Sequence, residues 1–148
     1  MKKRICLLLA LLLALLAFSA CGGDDPSGES VLYPKKSIDL DLSKLSSTML
    51  YAAITNMVSS PESYLGRVVR VTGDFLIYND TTRDIYSCLV SDATVCCAQD
   101  VEFVLEGNPT YPDDYPEVGQ TITVTGVFDT YVEDGYTYCQ LIHAEISH

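Results

Sequence analysis

Leu65-Gly66-Arg67-Val68-Val69-Arg70-Val71-Thr72-Gly73-Asp74-Phe75 and Val118-Gly119-Gln120-Thr121-Ile122-Thr123-Val124-Thr125-Gly126-Val127-Phe128 match position for position at an offset of 53 residues, Gly66 to Gly119. In each, apolar side chains return at every second position, the period of a strand with one face in a core. Val69, Val71, Gly73 and Phe75 share that face in the first stretch, and Ile122, Val124, Gly126 and Phe128 in the second. Both carry a glycine in mid-strand. A missing side chain there permits a strand to bend sharply or to coil around a small barrel.

Outward from these strands, each runs into a turn and a second strand. Asn79 to Asp84 leads to Ile85 through Val90, and Glu133-Asp134-Gly135 leads to Tyr136 through Ile146. A further strand, Val101 to Leu105, lies between the two hairpins. Upstream, Leu50, Ala53, Ile54, Met57 and Val58 recur at helical spacing, with Ser46, Ser47 or Thr48 as cap and Pro61 as stop. Pro61 to Leu65 predicts one more helical turn, closed by Gly66. Ser37 to Leu42 alternates over so short a run that it reads equally as an edge strand or as linker.

The predicted class is therefore mainly β: five strands in the order hairpin, strand, long connection, hairpin, preceded by one amphipathic α-helix. That order resembles the OB-fold, a five-stranded Greek-key barrel. Tyr64-Leu65-Gly66 followed by Val71-Thr72-Gly73 is similar to OB-type domains of secreted and lipid-anchored bacterial proteins. This resemblance spans about residues 60 to 148. The Cys96-Cys97-Ala98 stretch and the general layout further resemble a set of lipoproteins of gut Firmicutes. That second resemblance implies the layout and no activity.

The amino terminus reads as an address. Lys2, Lys3 and Arg4 precede an uncharged apolar run from Ile5 to Phe18 and then Ser19-Ala20-Cys21, the order of an export signal. The run is shorter than the roughly 20 residues of a spanning helix. Leu16-Ala17-Phe18-Ser19-Ala20-Cys21 resembles the lipobox of bacterial lipoproteins, departing from it at Phe18, where an aliphatic residue is usual. The resemblance implies cleavage before Cys21, acylation of Cys21, and a chain held on the cell membrane by lipid and facing outside the cytoplasm. Gly22 to Pro34 is too poor in large apolar residues to offset the entropy of ordering. The expected organisation is a signal at residues 1–20, a flexible tether at 21–45 and a helix-plus-barrel domain at 46–148.

All 20 acidic residues follow the signal and three of the nine basic ones lie within it, which leaves the remainder 14 excess negative charges. Such a surface repels phosphate backbones, so nucleic acid is not an expected partner. The expected partners are the membrane, reached through the lipid, and an envelope protein or a small ligand.

Two groups of residues are candidates for chemistry. With Cys6 in the signal and Cys21 acylated, Cys88, Cys96, Cys97 and Cys139 remain. Their even number suits disulfides in an exported protein. A bridge from Cys88 or Cys139 to one of the adjacent pair is the preferred pairing, since a bond between Cys96 and Cys97 strains the backbone. Buried free thiols are an equal alternative. A zinc or copper site that adds His143 is a third, although the spacing is no C-x-x-C pair. No other cofactor is expected.

The second group is Tyr78 and Tyr86, which flank the first hairpin turn, with Tyr131 and Tyr136, which flank the second. They read as an aromatic ligand face at the OB-fold binding edge, or simply as cross-strand pairs. Asp80, Asp84, Glu133 and Asp134 at the same tips favour a neutral or cationic ligand. Tyr111 to Glu117 reads as a solvated acidic loop in preference to a calcium site. Only His143 and His148 offer an imidazole base, and no phosphate loop or glycine-framed nucleophile occurs. The expected function is non-catalytic binding, with a thiolate metal-binding or thiol redox protein as the alternative.

Overall fold

The computed structural model describes residues 37–79 and 83–147, all of them in the unit that runs from Lys35 to His148. The signal, Cys21, the tether up to residue 36, the first hairpin tip at 80–82 and His148 lie outside the described residues. Strand β1 covers Leu40–Asp41, helix α1 Ser47–Ser59, β2 Val68–Asn79, β3 Asp84–Ser91, β4 Ala98–Leu105, β5 Thr121–Glu133 and β6 Tyr136–Ser147. Together they make a mainly β architecture, a six-stranded mixed sheet in the order β1-β2-β3-β4-β6-β5 with one helix. A further pairing of β2 with β5 closes the hydrogen bonds of β2, β3, β4, β6 and β5 into a ring.

The two matching sequence stretches are what close this ring, because they pair with each other. Val69 faces Gly126, Val71 faces Val124 and Gly73 faces Ile122 across the antiparallel β2–β5 ladder. The other edge of β2 is shared. Val69 and Arg70 take β1 in parallel, and from Asp74 to Asn79 the strand pairs with β3. The handover falls at Gly73. A Cβ there would overlap the Leu89 carbonyl and stand 2.8 Å from Cys88 Sγ. Only a residue without a side chain lets the two strands approach so closely.

Gly126 has a different partner. Thr125 pairs with Glu145 but Val127 with Ile142, so β6 carries one extra residue opposite this glycine. That is a β-bulge, and His143 within it adopts φ 48°. The parallel β4–β6 ladder shifts at the same place, between Phe103 and Leu105. Because of the bulge Leu141 and Ala144 both face inward although they are three positions apart. A Cβ on Gly126 would lie 2.9 Å from the Leu141 Cβ and 3.0 Å from the Ile142 carbonyl oxygen.

Inside the ring, Val69, Val71 and Phe75 meet Cys88, Val90, Val101, Phe103, Ile122, Val124, Phe128 and Leu141. Each fully buried side chain of this size contributes roughly 1.5–3 kcal/mol relative to exposure. Helix α1 adds Leu50, Ile54 and Met57 to the same core and packs against β3 and β4. Its apolar stripe is narrower than the periodicity predicts, for Val58 is 42% exposed. The extra helical turn after Pro61 is a 3-10 turn, Pro61–Ser63, and Gly66 ends the segment at φ 75°. The alternation at Ser37 to Leu42 resolves as a strand. Asp39 receives the Val68 N–H on Oδ2 at 2.9 Å, and Leu42 is buried, so residues within the expected tether belong to sheet and core.

Candidate functional site

Strand register alone assembles one outward face. Tyr78 pairs with Ile85, Leu76 with Ser87, Ser87 with Glu102, Glu102 with Gln140, and Tyr131 with Tyr138. Directly paired residues point to the same side of a sheet, so these side chains form a continuous row across β2, β3, β4, β6 and β5. The second hairpin turn stands at one border of this face. Asp134 and Gly135 at φ 49° and 83° form the two-residue connection that matches strand twist.

At the middle of the face three elements are joined through one phenol. The Tyr131 hydroxyl donates to Glu102 Oε2 at 2.7 Å and accepts from Arg83 Nη2 at 2.5 Å. The guanidinium lies 4.9 Å over the Tyr131 ring centroid, and it reaches Glu133 at 3.4 Å and Glu102 at 3.7 Å. Tyr138 stacks on Tyr131 with centroids 5.3 Å apart. Arg83 thus ties the first hairpin to β4 and β5.

The electrostatics follow from this packing. Burial pushes the Glu102 carboxyl up, against the lowering influence of the Tyr131 hydroxyl and the Arg83 charge. Burial and the adjacent Glu102 carboxylate push the Tyr131 phenol up to about 12. Burial acts against the Arg83 charge, but Tyr131, Glu102 and Glu133 outweigh it and hold the guanidinium above its ordinary value.

A cleft of about 420 Å³ opens beside this cluster, lined by Arg83, Ile85 and Glu102 on one side and by Tyr86, Tyr115 and Pro109 on the other. Its aromatic wall is continuous. Tyr86 stacks on Tyr115 at 4.1 Å, Phe75 lies behind both at 6.3 and 6.0 Å, and Tyr111 flanks them at 6.1 and 6.0 Å. Burial, then the charges of Tyr86 and Asp114, push the Tyr115 phenol up to about 12. A wider groove continues past Tyr115 and Asn108 and is lined by Glu106, Asp113, Asp114, Glu117 and Glu145. The carboxylates of the acidic loop are exposed, as expected of a solvated loop, and line this groove, while Tyr111 and Tyr115 pack against the aromatic wall.

Of the four tyrosines predicted as a ligand face, Tyr78, Tyr131 and Tyr136 lie on the outward face. Tyr78 is raised by burial and by the Asp100 charge, and Tyr136 is 69% exposed at the hairpin tip. Tyr86 belongs instead to the aromatic wall. Sequence reasoning missed Arg83, Glu102, Tyr115 and Tyr138. The alternation of Ala98 to Leu105 contained the signal for Glu102, since Val101 and Phe103 occupy the core side of that strand.

The thiols divide by environment. Cys88 is fully buried, and burial followed by the Asp74 charge pushes it up to about 12. Cys139 is half-buried and is raised by burial and then by Glu102. Cys96 and Cys97 are exposed on the β3–β4 loop with their sulfurs 3.6 Å apart. All four are free thiols, so the bridge expected between Cys88 or Cys139 and the adjacent pair is not formed. His143 sits in the bulge on the exposed side of β6. Among the described residues, the ligand atoms that converge are those of Asp92, Cys96 and Cys97, without Cys88, Cys139 or His143. Comparison with family models, with curated proteins and with solved structures finds no match to this chain.

Proposed function

We propose that this chain is a lipid-anchored, extracytoplasmic binding module with no catalytic role, built on an OB-like barrel and held to the membrane through Cys21. Its ligand is neutral or cationic and is taken on the outward face and in the adjoining cleft. The observation that carries this reading is the Arg83–Tyr131–Glu102 cluster at the mouth of a cleft with an aromatic wall. An aromatic wall offers stacking area, and a few fixed polar groups beside it orient what is bound. The face between the two hairpins is also where OB-folds commonly bind their ligands. The carboxylates of the adjoining groove oppose an anionic occupant. A sugar meets the description best, since its hydroxyls pair with Arg83 and Glu102 while its apolar face rests on Tyr115.

The test is an isotope-labelled titration of the chain with neutral oligosaccharides and, separately, with cationic peptides. The expected outcome is resonance shifts confined to Arg83, Glu102, Tyr115, Tyr131 and their neighbours, abolished by Arg83→Ala and by Tyr115→Ala. Shifts scattered elsewhere, or none with either panel, would overturn the ligand reading. For the anchor, labelling with a palmitate analogue is expected to mark the native chain and not Cys21→Ala. Retention of that variant in the membrane fraction would defeat the lipid assignment.

A further inference from the structure

We infer that Asp92, Cys96 and Cys97, all on the loop between β3 and β4, form a binding site for a thiophilic divalent cation, zinc above all. The site is separate from the cleft and stands or falls independently of it.

The loop is tightly closed. Its ends are joined by the Asp92 N–H to the Cys97 carbonyl at 2.9 Å, and the Val95 N–H donates to the Asp92 carbonyl at 3.1 Å. Val95 takes φ 57°, an uncommon conformation for a β-branched residue, and this turn sets the two cysteine side chains next to each other. Asp92 Oδ1 accepts the N–H groups of Cys96 and Cys97 at 3.0 and 3.4 Å. The carboxylate is therefore oriented before any ion arrives. Its other oxygen, Oδ2, accepts the Thr94 hydroxyl at 2.8 Å and lies 3.4 Å from Cys96 Sγ.

The spacings match a coordination shell. With Zn–S near 2.3 Å and Zn–O near 2.0–2.2 Å, a tetrahedral ion holds two sulfurs about 3.8 Å apart and a sulfur and an oxygen about 3.5 Å apart. The corresponding distances here are 3.6 Å between the sulfurs and 3.4 Å from Cys96 Sγ to Asp92 Oδ2. All three ligand atoms lie within 4.8 Å of one another. A disulfide would need the sulfurs at about 2.05 Å. The donor set also chooses among ions: two thiolates exclude magnesium and calcium, and the carboxylate favours zinc over copper(I). Binding displaces one proton from each thiol to solvent, and Asp92 enters already ionised. Two thiolates, one carboxylate and Zn²⁺ leave a single net negative charge. Three protein ligands on an exposed loop leave a fourth position for water or a second molecule.

The experiment uses the full chain, purified with reductant and without oxygen, and titrates Zn²⁺ against a chromophoric chelator, with Co²⁺ as the spectroscopic probe. One zinc per chain is expected, and a thiolate-to-cobalt charge-transfer band with it. Cys96→Ser and Cys97→Ser are each expected to weaken binding by about 100-fold or more, and Asp92→Asn by about 10-fold or more. Cys139→Ser and Cys88→Ser are expected to keep the stoichiometry, with a melting curve confirming that each variant is folded. Zinc binding that survives the Cys96→Ser/Cys97→Ser double variant would overturn the site. So would an absence of stoichiometric zinc, or a native chain whose intact mass and thiol count show Cys96 joined to Cys97.

Discussion

At Glu102, burial, a phenol and a guanidinium compete over one carboxyl group, and burial wins. The folded state therefore holds the Glu102 proton more tightly than the unfolded chain does. The stability this contributes is complete below the ordinary value of 4.5 and is lost as pH rises through the folded value. Glu102→Gln keeps position 102 neutral at every pH. The fall in melting temperature that this group causes as pH rises above its ordinary value of 4.5 should vanish in the variant. Paired calorimetric scans of both proteins check it, and identical pH profiles would show that Glu102 is not the cause. Cys88 makes a second residue-level case. Its thiol is buried and pushed up to about 12, whereas Cys96 and Cys97 are exposed. The thiolate is the reactive species, so alkylation of the native chain is expected on Cys96 and Cys97 first and on Cys88 only after unfolding. Peptide mapping by mass spectrometry reads the order.

The paired strands carry two predictions of their own. Gly73→Ala drives a methyl into the Leu89 carbonyl and the Cys88 sulfur, where neither the backbone nor a fully buried thiol can yield. Overpacking of this kind costs about 1–3 kcal/mol, occasionally more. Gly126→Ala meets Leu141 and Ile142 at the bulge and is expected to cost a similar amount. By contrast, Val132→Thr on the exposed part of β5 should stay within about 0.5 kcal/mol of the native chain. Chemical denaturation of the three variants separates the outcomes. A glycine variant as stable as Val132→Thr would mean that close strand approach is not what these glycines secure.

For the molecule as a whole, the seam between β2 and β5 is the one that closes the ring. It joins residues about fifty positions apart, as in the Thr72–Thr123 hydroxyl contact of 2.8 Å. Long-range pairing incurs loop-closure entropy before it is rewarded, so slow and cooperative folding is expected. Val71→Ala at the buried centre of the seam should cost about 2–3 kcal/mol. Far-ultraviolet circular dichroism and tyrosine fluorescence should still report one coincident transition. Separate transitions would show that the strands on either side of the seam unfold independently.

Much of this architecture is legible in the residues because it rests on local periodicity. The twofold alternation of Val69, Val71 and Phe75 against Ile122, Val124 and Phe128 marked the core face, and the glycines in mid-strand stand where neighbouring strands approach too closely for a side chain. The 3.6-residue stripe located α1, and Asp134-Gly135 located the second turn. What tertiary structure alone decided is partnership. No periodicity says that the two repeats pair with each other, that one extra residue at His143 resets the inward face of β6, or that Arg83 reaches Tyr131 from another hairpin. Those outcomes depend on register between segments far apart in the chain, and a shift of one residue exchanges the inner and outer sets. The same distinction separates the sulfurs: sequence names them as a group, and the three-dimensional path of the strands divides them into a core thiol, a half-buried thiol and an exposed pair beside a carboxylate.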